Sequence, residues 1–145
     1  MLKSCISRVV LAMSLNLLIG QVHASQNIGV FVSLSMPKTL LIQTLRESAH
    51  LHIPAFLNGL HHNSMPQTAR LVMDLSKEVP NLNLQIDPTA FERFGIHQVP
   101  ALVVDDGKKF DVIYGNLTLI EGLSRMAGNG DSGLTQDDVR GMSGE

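Results

Sequence analysis

A chain of 145 residues with 11 basic and 13 acidic side chains, 44% apolar residues and a single cysteine has room for one compact domain and little more. Its formal charge of −2 and the absence of any basic cluster argue against nucleic acid as a partner, because phosphate binding rests on Lys and Arg. Disulfide chemistry is limited by Cys5, which stands alone and lies close to the N-terminus.

The first elements belong to export. Lys3 and Arg8 precede an apolar stretch over residues 9–19, and Gly20, Val22, His23 and Ala24 form a small-residue processing site, so residues 1–24 are predicted to be a signal peptide. The stretch is shorter than the roughly 20 residues of a spanning helix and is interrupted by Ser14 and Asn16, so no stable membrane insertion is expected after cleavage. Cys5 leaves with the leader, and the loss of Lys3 and Arg8 takes the formal charge to −4. The expected location is the periplasm, an oxidising compartment in which residues 25–145 offer no thiol.

Residues 28–33 (Ile-Gly-Val-Phe-Val-Ser) are short, apolar and β-branched, which predicts a central strand buried on both faces. Pro37 suits the first turn of a helix, and Leu40, Leu41, Thr44, Leu45 and Ser48 continue it at helical spacing to about residue 50. Ile53, Ala55, Phe56 and Leu57 predict a second strand, followed by a polar loop over residues 58–64. Ser64 caps a second helix with Pro66 in its first turn, and Pro80 stops it. Residues 82–86 alternate with Asn and Gln and read as a third strand.

Asp87-Pro88 opens a short helix carrying Phe91 and Phe94, and Gly95 is placed to end it in a left-handed conformation. After a sharp turn at Val99-Pro100, residues 101–104 and 110–114 flank a charged connection and predict a β-hairpin, with Asp105 and Asp106 as solvated carboxylates at its tip. A last helix is expected over about residues 117–127, where Asn116 is a candidate cap and Tyr114, Gly115 and Asn116 form a segment open to a specific contact. Residues 128–145 hold five Gly, three Asp and few apolar side chains, which predicts a flexible tail. The expected domain is therefore residues 25–127.

The order β-α-β-α-β-α-β-β-α, with Gly95-Ile96-His97-Gln98-Val99-Pro100-Ala101 before the hairpin, resembles the thioredoxin superfamily, an α/β three-layer sandwich. That resemblance implies a cis-proline at Pro100 beside the functional site. It also aligns the Cys-x-x-Cys of redox members with Ser35-Met36-Pro37-Lys38, which cannot form or exchange a disulfide.

A closer resemblance is to the TrbC family, the type-F conjugative transfer pilin assembly proteins. It is carried by Phe31-Val32-Ser33-Leu34-Ser35-Met36-Pro37, Ile53-Pro54-Ala55, Gln85-Ile86-Asp87-Pro88-Thr89 with Phe91, Gly95-Ile96 with the Val99 to Val104 segment, and Asp111-Val112-Ile113 with Gly115-Asn116-Leu117. The likeness covers about residues 31–131. It implies a periplasmic component of an F-like type IV secretion apparatus acting in pilus assembly through protein contacts, with a TraW-like periplasmic protein as partner and no cofactor. Some members carry cysteines near the positions of Asp106 and Ser132, both absent here.

In redox relatives the surface beside the cis-proline takes substrate polypeptide. By that resemblance the expected partner contacts are Ser35, Met36, His97, Gln98 and Val99, with no catalytic residue and no metal. Other chemistries have weaker residue support. Ser35 has His50 and His97 as bases by residue type alone, and a degenerate enzyme or chaperone acting on exported polypeptides is the alternative function. His50, His52, His61 and His62 lie close in sequence but lack the accompanying Cys or carboxylate of usual zinc sets. Met36, Met65, Met73 and Met126 read as core filling or adaptable interface rather than a cofactor site.

Overall fold

A computed structural model describes residues 26–144, so the signal-peptide expectation lies outside the described residues. Five strands form one sheet in the order β3-β2-β1-β4-β5. Strand β1 (Asn27–Val32) lies at its centre, parallel to β2 (Ala55–Leu57) and antiparallel to β4 (Ala101–Asp105). Strand β3 (Leu84–Ile86) extends the sheet in parallel beyond β2, and β5 (Phe110–Tyr114) closes the opposite edge as the hairpin partner of β4.

Successive strand residues point to opposite faces, and the two resulting cores differ in size. Val30, Val32, Ala55, Leu57, Leu102 and Val104 face the larger core, where helices α1 (Lys38–His50), α2 (Met65–Glu78) and α4 (Leu119–Met126) cover them with Leu41, Leu45, Leu75 and Leu123. Phe31, Ala101 and Val103 face the other way, against Phe91 and Ile96 of α3 (Pro88–Arg93) and the turn after it. The asymmetry follows from connectivity. The β1-α1-β2 and β2-α2-β3 crossovers step in one direction across the sheet, and right-handed connections then put both helices on the same face. Only the six-residue α3, on the return path to β4, is left for the second face. The result is a thioredoxin-like three-layer fold with unequal outer layers.

Local chemistry sets the element ends. Ser64 Oγ accepts from Gln67 N at the start of α2, and the Asp87 carboxylate accepts from Ala90 N at the start of α3. Gly95 takes φ 60, the left-handed turn expected of it. The last helix of the expected order is capped by Thr118, whose hydroxyl accepts from Glu121 N, and not by Asn116, which makes no hydrogen bond among the described residues. Glu47 of α1 accepts Leu119 N at 2.7 Å, so an acidic group from another helix occupies the positive end of α4.

Two expectations are corrected. The segment after residue 128 is not a structureless tail: it forms α5 (Gln136–Ser143), with a capping box between Thr135 and Asp138 and with Leu134 and Val139 buried against α4. Gln136 Nε2 donates to Ser124 O and Ala127 O, and the Asp111 carboxylate accepts from Asp131 N and Ser132 N at 2.9 Å each, fastening the connection to β5. The apolar content is low, but two buried side chains and these polar ties suffice to order it. Asp105, in turn, is not a solvated tip residue. It ends β4 at 4% exposure, accepting from Arg93 Nη2 at 2.7 Å and from Gly107 N at 2.9 Å. Asp106 alone occupies the tip, where its carboxylate accepts from Lys108 N and Lys109 N.

Candidate functional site

Loops following the carboxyl ends of β1 and β2 converge with the turn that enters β4. In open α/β sheets this is where ligands bind, beside the strand from which connections leave in opposite directions. Here the loops converge beside β1, whose connection runs to β2 while its other neighbour, β4, continues to β5 on the opposite side. A cleft of about 480 Å³ lies between residues 33–35, residues 58–63 and residues 96–99.

The Val99-Pro100 peptide bond is cis, and Pro100 O accepts from Gly115 N, which ties the turn to the end of the hairpin. The backbone of residues 97–99 has no hydrogen-bond partner among the described residues, although β4 begins its ladder only two residues later. Val99 is half-buried, whereas His97 and Gln98 are exposed. The turn thus presents unused main-chain donors and acceptors to the cleft, the arrangement that accepts an additional extended chain.

Across the cleft, Ser33 Oγ lies 2.7 Å from Ser35 Oγ and accepts from Ser35 N, closing a small hydroxyl-lined loop before α1. Met36 turns away from it: its sulfur accepts from Ser33 N at 3.4 Å while the side chain packs on the larger core. Of the sequence-predicted contacts, the structure brings Ser35, His97 and Val99 together on one cleft, with Pro100 behind them; Met36 and Gln98 do not line it. Ser35 is engaged by Ser33, and among the described residues no imidazole bonds to its hydroxyl to act as a base.

The third wall is the 3-10 turn His61–Asn63, which the sequence placed in a polar loop and offered only as a weak zinc candidate. His61 N donates to Thr68 Oγ1, and the His61 and His62 rings stack with centroids 3.9 Å apart. His52 instead lines a separate cleft of about 550 Å³ below α3, with Phe56, Arg93 and Asp105. Of the four histidines close in sequence, His61 and His62 therefore line one cleft and His52 the other, while His50 lines neither. No group of three or more His, Cys, Asp or Glu among the described residues is placed to hold a metal ion.

The family model for the type-F conjugative transfer system pilin assembly protein matches residues 30–131. The chain belongs to that family. The chain is 39% identical over 115 residues to the periplasmic protein TrbC of Escherichia coli K12. That match takes in 79% of this chain and 54% of the relative, so the chain spans about half the length of the curated relative. Among solved structures, MTB DsbF in its mixed oxidized and reduced forms is similar at a TM-score of 0.48 and 18% identity, covering 70% of this chain and 78% of that one. The region matched by the pilin assembly family includes all three walls of the cleft and the sheet except residues 27–29 of β1, and ends before α5.

Proposed function

We propose that this chain is a periplasmic assembly factor of an F-like conjugative transfer system, acting in pilus assembly by holding an extended segment of a partner protein in the cleft beside Pro100. The observation that carries the reading is the backbone of residues 97–99, unpaired among the described residues, with His97 and Val99 lining the same cleft as Ser35. A sheet-like peptide supplies main-chain partners for such a turn without any covalent chemistry. Family membership supports the setting, and the periplasmic naming of the E. coli relative supports the compartment.

Redox catalysis has no chemical basis in residues 25–145, which lack cysteine, and Ser35 has no engaged base. The role is therefore recognition rather than enzymatic turnover, with a TraW-like periplasmic protein as the proposed partner. The described residues contain no helix long and apolar enough to cross a membrane.

The test is complementation. In cells carrying the transfer genes with this one deleted, the triple variant Ser35→Ala, His97→Ala, Val99→Ala is expected to be exported and folded but to lose pilus production and recovery of the TraW-like protein on affinity purification. Normal pili and an unchanged complex from this variant would refute the cleft as the docking surface.

A further inference from the structure

The cleft is one-sided in the chemistry of the side chains that line it. Its ionisable side chains are His61, His62 and His97, with no Asp, Glu, Lys or Arg among the lining residues, in a chain whose formal charge is −2. Imidazole can gain a positive charge and never a negative one, and it offers an N–H donor in either protonation state. The ring nitrogens of all three histidines lack a hydrogen-bond partner among the described residues, so their donor capacity is unspent inside the protein. The remaining polar lining is hydroxyl and amide: Ser33, Ser35, Asn58 and Asn63.

Backbone conformation adds a second observation. His62 and Asn63 both take left-handed conformations, with φ of 50 and 53, which a side chain bearing a Cβ adopts at a cost. Such positions persist where the surrounding structure over-determines them, and they concentrate at ligand sites. Here they accompany a His62 ring packed against that of His61, on the third wall of the cleft that His97 and Val99 also line. The other cleft has a mixed lining, with Asp87, Arg93 and Asp105, so the histidine-only composition belongs to this end of the sheet alone among the two.

We infer that the extended segment bound in this cleft carries a carboxylate side chain, Asp or Glu, seated against the His61–His62 pair. This rests on the docking reading above and adds to it the chemical class of the occupant. A lysine or arginine at the same place would meet no carboxylate among the lining residues.

Purified chain in its processed form is titrated with three fluorescein-labelled peptides, Thr-Val-Glu-Val-Thr and the same sequence with Gln or Lys at the centre, followed by fluorescence anisotropy. The Glu peptide is expected to bind at least about fivefold more tightly than the Gln peptide, with the Lys peptide weakest. The double variant His61→Gln, His62→Gln, at positions outside the core, is expected to bind the Glu and Gln peptides alike while still binding both. Equal affinity of the wild-type chain for the Glu and Lys peptides, or a Glu preference that survives in the double variant, overturns the inference and leaves the docking reading intact. Failure of all three peptides to bind overturns both.

Discussion

Asp111 does the work of a cross-link. Burial pushes its carboxyl upward, but contact with Ser132 and the N–H groups of Asp131 and Ser132, helped by Lys109, outweighs that and holds it below the usual range. A depressed native value stabilises the fold above the pH at which an ordinary aspartate ionises, about 3.9, and the contribution is lost as pH falls through the lower native value. Asp111→Asn is expected to cost roughly 1–2 kcal/mol at neutral pH, read from the urea midpoint, and the gap from wild type should close on acidification below about pH 4. A gap that persists at low pH would assign the effect to packing instead. Gly130 belongs to the same contact, since a Cβ there would overlap the Asp111 carboxylate. Arg93 is the second case. It is largely exposed and lies 4.8 Å from the Phe94 ring centroid, and among the described residues it supplies the one side-chain partner of buried Asp105. Arg93→Ala should lower stability by about 1 kcal/mol, discounted for the solvent around the guanidinium, whereas Arg93→Gln should recover part of the loss; equal melting temperatures for all three would contradict this. Neither role was legible in the sequence. Asp105 stands beside Asp106 in a turn-rich string, and which of two neighbours turns inward depends on the strand's facing, which runs one residue further than alternation alone indicates.

At the level of elements, most of the chain could be read because each piece carries its own punctuation. Pro37, Ser64 with Pro66, and Asp87-Pro88 sit at helix starts, and Gly95 ends α3 in a left-handed turn. The element missed, α5, also has a local signal: Thr135 and Asp138 stand at capping-box spacing ahead of Val139. Glycine content outweighed it because composition averages over a segment, while a helix needs only one apolar stripe and a cap. Val139→Ala should cost about 1–2 kcal/mol and Thr135→Ala about 1 kcal/mol, both measurable by thermal or urea unfolding. No change from either would mean that α5 contributes nothing to the global transition. The cleft was legible in two of its three walls. Ser35, His97 and Val99 follow from the thioredoxin-like order, but the His61–Asn63 wall depends on left-handed backbone at non-glycine residues, which no pattern of residue types announces.

Across the whole molecule, the uneven layering predicts uneven protection. Strand β1 is flanked by strands on both sides and covered on both faces, whereas β5 is an edge with Phe110 and Tyr114 exposed at 44% and 41%. Amide hydrogen exchange should be slowest at residues 30–32 and markedly faster along β5; the reverse order would contradict the assigned topology. Topology itself was legible because crossovers are right-handed and hairpins are local. The consequence for coverage was not, because it depends on where β3 joins the sheet.

The central place of β1 also bears on how the chain comes to be folded at all. It is the first strand made, yet one of its two neighbours, β4, follows about seventy residues later in register with it. A polypeptide threaded through a narrow passage from its N-terminus therefore cannot lock its sheet until nearly everything has emerged. Late closure of this kind keeps the chain pliable and delays the moment at which the cleft between the ends of β1 and β2 and the turn into β4 exists.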